Sequence, residues 1–99
     1  MTGAEMDELL AQVESGALTP PRLTFAAESL GEHPDKARAL AALLPLLKHE
    51  KAYVREGALL GLAALATPAA RDAVQAVELG DASETLRAIA GYLLADWEA

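Results

Sequence analysis

The chain carries two histidines, fifteen carboxylates and no cysteine, and these bound the chemistry open to it. His33 and Asp35 flank Pro34, and His49-Glu50 forms a second short pair. Zinc chemistry on a helix needs two imidazoles on one face, as in His-Glu-x-x-His. Neither pair has that spacing, so both histidines read as solvated turn residues and no metal or other cofactor is expected. The lack of cysteine excludes disulfides, thiolate catalysis and Cys-ligated zinc. A hydroxyl nucleophile needs a base and an orienting group. Ser15, Ser29 and Ser83 lie in no nucleophile elbow, and Ser83 is better explained as a helix cap. The carboxylate pairs Asp7-Glu8, Asp81/Glu84 and Asp96/Glu98 would act as acid and base only if their surroundings drove their pKa values apart. They fall on polar faces or in turns and read as solvated charge.

Binding chemistry is bounded by charge. Fifteen acids face eight bases, a formal net charge of −7. Phosphate backbones call for clustered Lys and Arg, so no nucleic acid is expected as partner. Residues 1–32 hold six acids and one base, residues 33–66 three acids and five bases, and residues 67–99 six acids and two bases. An interfacial membrane helix wants cations on its polar face, and the first amphipathic segment has acids there. The longest uncharged stretch near the centre, Gly57 to Ala70, is too short for a bilayer and contains Pro68. No membrane association is expected. The acidic start lacks the basic segment of a signal peptide, and the expected location is cytoplasmic.

Six segments of helical periodicity must position whatever site exists. The first, near 5–15, places Met6, Leu9, Leu10 and Val13 on one face, with Thr2 and Glu5 as a capping box and Gly16 as a stop. The second, near 20–31, starts at Thr19-Pro20, carries Leu23, Ala26, Ala27 and Leu30, and ends at Gly31 ahead of Pro34. The third, near 35–49, carries Leu40, Leu43, Leu44 and Leu47, with Pro45 predicting a kink or a break into two pieces. The fourth, near 52–66, has no charge after Glu56 and reads as the central, many-sided buried helix. Its Gly57 and Gly61 leave a groove for a close helix neighbour. The fifth, near 68–79, starts at Thr67-Pro68, carries Ala70, Ala73, Val74 and Val77, and ends at Gly80. The sixth, near 82–97, faces Leu86, Ile89, Ala90, Leu93 and Trp97 inwards, with Asp81 and Glu84 as its capping box. Links this short impose antiparallel neighbours. The expectation is all-α: one domain over 1–99, built of three helix pairs (about 5–31, 35–66 and 67–98) stacked as a short α-solenoid. A compact helical bundle is the alternative.

An internal repeat supports the stack. Val54-Arg55, Ala58 and Leu62 match Leu86-Arg87, Ala90 and Leu94 at an offset of 32 residues, and Leu23-Thr24 with Ala27 is a weaker first copy. Leu46-Leu47, Val54-Arg55, Ala58 and Leu62, followed by Leu79, Asp81, Leu86-Arg87, Ala90 and Leu94, resemble the HEAT-like repeat family, including its short phycobilisome-lyase type. In that pattern His49 stands where an Asp is expected and Thr24 where an Arg is expected. The resemblance implies that a turn-to-helix ion pair is incomplete in the first two units. It also implies structural roles for Arg55, Arg87 and Asp81, and makes Pro45 a familiar kink. The acidic first helix and the end Trp97-Glu98-Ala99 read as caps of the stack.

The function expected from this resemblance is a scaffold that binds another protein, without catalysis. The second helix of each pair lines the inner face of such stacks, which points to Glu28, Tyr53, Glu56, Tyr92 and Trp97 as contact residues, aromatics being favoured anchors. Three repeats offer a modest surface, so homo-oligomerisation is also compatible. The competing expectation is a HEAT-like enzyme, a bilin lyase or a DNA glycosylase. A lyase needs a chromophore pocket and a glycosylase a basic face, and the charge and length disfavour both.

Overall fold

A computed structural model describes residues 1–98, with only the backbone of Glu98. Ala99, the last residue of the expected C-terminal cap, lies outside the described residues. The described chain forms six α-helices, α1 (Gly3–Ser15), α2 (Pro20–Ser29), α3 (Lys36–Leu43), α4 (Ala52–Leu65), α5 (Pro68–Gly80) and α6 (Glu84–Glu98), with 3-10 turns over Leu30–Glu32 and Leu44–Lys48. Among the described residues there is no strand.

Local chemistry sets most helix ends. Thr2 Oγ1 accepts from the Glu5 N–H and Glu5 Oε1 accepts from the Thr2 N–H, both at 3.2 Å. This reciprocal box satisfies two of the amides that a helix start leaves unpaired. Gly16 then turns left-handed at φ 72° and closes α1. Asp35 accepts from Arg38 N–H at the start of α3, and Thr67 from Ala70 N–H at the start of α5.

Four expectations are corrected. Ser83 caps α6 as its type suggested, its Oγ accepting from Leu86 N–H at 3.2 Å. The Asp81/Glu84 box does not form, because the Asp81 carboxylate turns to Ser83 N–H and Arg55 instead. Gly31 is no left-handed stop: it lies buried in a 3-10 turn, where an added Cβ would meet Ala64 Cβ at 2.5 Å and Gly61 O at 2.7 Å. Its small size serves packing. Leu44 leaves the inner stripe and is 40% exposed. At about 100° per residue Leu44 lies about 100° from Leu43 and about 140° from Ala39, the two residues that centre the buried face of α3, and so falls at its edge. Ala39 and Leu43 fill the core in its place. Finally, His33 is buried at 3% exposure, not solvated.

Helix α4 is the hub. It buries Val54, Ala58, Leu59, Leu62 and Leu65 completely and packs against α2, α3, α5 and α6. A Cβ at Gly57 would lie 2.5 Å from Thr24 O, and one at Gly61 would collide with Ala27 O. The pairs Thr24/Gly57, Ala27/Gly61 and Gly31/Ala64 rise together along both helices, so α2 and α4 run parallel in close backbone contact. That is the geometry of successive second helices in a stack. Helices α5 and α6 pack on each other as the third pair.

Candidate interaction surface

The turns hold the polar framework of the stack. Arg55 reaches from α4 into the turn before α6: its Nε donates to Asp81 Oδ2 at 3.1 Å and its Nη2 to Asp81 Oδ1 at 3.3 Å. Its Nη1 donates to His49 O at 2.8 Å, within its own unit. Arg87 Nη1 donates to Asp81 O at 2.6 Å, and Ser83 N–H donates to Asp81 Oδ1 at 2.8 Å. Asp81 and Arg55 side chains are only 5% and 15% exposed. Burial of the Asp81 carboxyl opposes its ionisation. The Ser83 N–H and the guanidinium groups of Arg55 and Arg87 outweigh it and hold the carboxyl below its usual range.

The same turn is built elsewhere with imidazole. His33 Nδ1 accepts from Asp35 N–H at 2.9 Å, and His49 Nδ1 accepts from Lys51 N–H at 3.0 Å, as Asp81 accepts from the amide two residues on. An accepting Nδ1 places the proton on Nε2. The His33 Nε2–H then donates to Asp7 Oδ1 at 2.9 Å and ties α1 to the turn before α3. Thr24, where an arginine was expected, donates its hydroxyl towards Pro20 O and Tyr53 O, at 3.2 and 3.3 Å. A short hydroxyl thus links the first unit to the second where a long cation links the second to the third.

The residues expected to make contacts do not converge on one pocket. Tyr53 is 44% exposed at the start of α4 and shares an α4 stripe with the half-buried Glu56, Leu60 and Ala63, at spacings of three and four. Glu28 is exposed on α2, the helix against which α4 packs. Trp97 is half-buried and, with Ala63, Ala64, Ala66, Leu93 and Asp96, lines an open groove of about 390 Å³ between the ends of α4 and α6. Tyr92 stands out from α6 at 78% exposure. Tyr53 and this groove lie at opposite ends of α4, roughly 15–20 Å apart at 1.5 Å per residue. The α4 stripe therefore runs from Tyr53 through Glu56 to Ala63, where it meets the groove of Trp97 and Asp96.

Sequence reasoning missed Phe25, exposed at 72% on α2. The Leu23, Ala26, Ala27 and Leu30 stripe had already used the inner face, so position 25 had to point away from it. Asp96 was weighed as an acid–base partner and not as a wall of the Trp97 groove. Among the described residues no group of three or more His, Asp or Glu side chains is placed to hold a metal ion, and no helix is long and apolar enough to cross a membrane.

The parallel approach of α2 and α4, the α5–α6 pair and a turn carboxylate held by the arginine of the preceding unit define a helical-repeat protein. The chain belongs to the HEAT repeat family, whose model, described as HEAT repeats, matches residues 7–95. No curated protein and no solved structure matches it.

Proposed function

We propose that this chain is a protein-binding scaffold without a catalytic step. It acts as one domain over residues 1–99 in the cytoplasm, and its contact strip is the face of α2, α4 and α6. The reading rests on the exposure of Tyr53 and Tyr92, at 44% and 78%, on second helices that could have packed apolar side chains inward. An exposed tyrosine presents a large, stiff, amphipathic surface that suits an interface anchor. HEAT repeats generally serve as interaction scaffolds, which supports the same reading. Glu28, Glu56 and Asp96 along the strip favour a partner segment bearing Lys or Arg, whose cations can also lie over Tyr53 and Trp97. Arg55, Arg87, Asp81 and Pro45 shape the stack and stay out of the contact.

The test is affinity capture from the native host's soluble lysate at low and high salt, with bound proteins identified by mass spectrometry. One protein is expected to be recovered reproducibly, more weakly at high salt. It should be lost from the Tyr53→Ala/Glu56→Ala double variant while that variant keeps wild-type helicity. Recovery unchanged by the double variant would overturn the assignment of this strip.

A further inference from the structure

The N-terminal end of the stack carries a second feature, which depends on none of the preceding reading. Terminal repeats of a solenoid normally turn a polar face outwards. Here two shallow grooves, each of about 280 Å³, run side by side over the outer face of α1 and α2 and share Met1, Leu9 and Gln12. The first extends to Glu5 and Glu8 on α1. The second extends to Leu18, Arg22 and Phe25 on the α2 side. Across the end face the order is therefore acid, then apolar, then base. The apolar seam is well exposed: Met1 is 74% and Phe25 is 72% accessible. Glu8 and Arg22 are both exposed, and neither enters an ion pair among the described residues. Glu5 is already engaged in the α1 cap.

A face with an acid at one edge, a base at the other and apolar side chains between is complementary to itself after a twofold rotation. We propose that this face docks a second copy of the chain. Phe25 and Leu9 of the two copies meet at the axis, and Glu8 of each copy meets Arg22 of the other, twice in the pair. The thirteen residues of α1 give the face a length of about 20 Å and two helices give it a width of about 20 Å. With side-chain relief the pair buries about 1,000 Å² in total, at the low end of specific interfaces. The association is weak and concentration-dependent.

Sedimentation velocity from about 5 µM to about 500 µM, which spans a weak, micromolar-range dissociation constant, is expected to show monomer passing into dimer. Phe25→Glu should raise the dissociation constant at least tenfold. Arg22→Glu places two acids opposite each other and Glu8→Arg two bases, so each variant alone should stay monomeric. Mixed in equal amounts they should form a dimer again, because every mixed contact is once more acid on base. That recovery is one that damage to either fold would not produce. The Tyr53→Ala/Glu56→Ala variant should dimerise as the wild type does, so failure here is separable from failure of the scaffold reading. A chain that stays monomeric throughout, or whose single charge variants dimerise normally, overturns the proposal.

Discussion

At the scale of single residues, the Asp81 carboxylate is the most consequential group in the structure. It accepts from Arg55 and Ser83, while its carbonyl accepts from Arg87. Removing it leaves a nearly buried guanidinium with backbone carbonyls as its remaining partners. Asp81→Ala is expected to cost about 2–4 kcal/mol, the range for breaking a largely buried charge pair, read from denaturant midpoints. The pH dependence has a definite sign. The folded carboxyl titrates below the ordinary aspartate range, so its contribution is fully present above the unfolded value and is lost as pH falls through the folded one. The gap in melting temperature between wild type and Asp81→Asn should be constant from about pH 7 to pH 5 and shrink progressively below about pH 4. A gap that stays undiminished down to about pH 2 would show that the carboxylate charge is not what Asn removes. Buried His33 makes a second case. His33→Leu removes the acceptor of Asp35 N–H and the tie to Asp7, and is expected to lose about 1–3 kcal/mol. Nothing in the turn's composition told His33 from His49, because the buried site is made by α1 folding back across it.

At the scale of elements, the glycines of α4 and α6 give opposite expectations. Gly61 lies against Ala27 O, a backbone atom held by α2. Gly61→Ala therefore gains up to about 1 kcal/mol of helix propensity but must push two helices apart. It is expected to be net destabilising, at the upper end of the roughly 1–3 kcal/mol typical of overpacking. A Cβ at Gly91 would meet only Glu78 Oε2, at 2.9 Å, the mobile tip of a long side chain. Gly91→Ala should be stabilising by up to about 1 kcal/mol. Thermal melts of the two variants check the pair, and equal shifts would show that the α2–α4 approach is looser than described. The groove implied by Gly57 and Gly61 was legible in the sequence because spacing by four fixes a helix face. The Thr2/Glu5 box, the break at Pro45 and the buried α4 were legible for the same reason: each is set by residues within one or two helical turns. What escaped were long-range properties. Leu44 turns outwards because α3 centres its buried face on Ala39 and Leu43, a choice its neighbours make and its own periodicity leaves open. Gly31 reads as a stop until Ala64 is known to lie over it. Asp81 reads as half of a capping box until Arg55, twenty-six residues earlier, takes its carboxylate.

At the scale of the whole molecule, stability is distributed unevenly along the stack. Helix α4 packs extensively against α2, α5 and the two 3-10 turns and also touches α3 and α6, and its core leucines are fully buried. Helix α1 is held more thinly. It buries Met6, Leu10 and Val13, and its polar ties are the His33–Asp7 bond and the Arg38–Glu14 pair. The latter is formed by side chains 46% and 39% exposed, and solvent-exposed pairs contribute little. In a repeat stack each unit draws its stability from its neighbours, and an end unit has only one. Native-state hydrogen exchange should therefore resolve two levels. Amides of α4 around Leu59 and Leu62 should exchange only through global unfolding. Amides in the middle of α1 should exchange through a cheaper opening that releases this helix alone. Denaturant sharpens the contrast, because an opening that exposes one helix has a smaller dependence on denaturant than full unfolding. At low denaturant the two sets of amides should differ clearly in apparent free energy, and they should converge as global unfolding becomes dominant. The end-face association gives the same experiment a second lever. If two copies meet through α1 and α2, raising the protein concentration should slow exchange in α1 and in α4 by the same factor, since neither the chain with α1 released nor the unfolded chain can dimerise and mass action stabilises only the state that binds. Identical exchange in α1 and α4 at every concentration would instead describe a molecule that unfolds as one cooperative unit, with α1 tied as firmly as the hub.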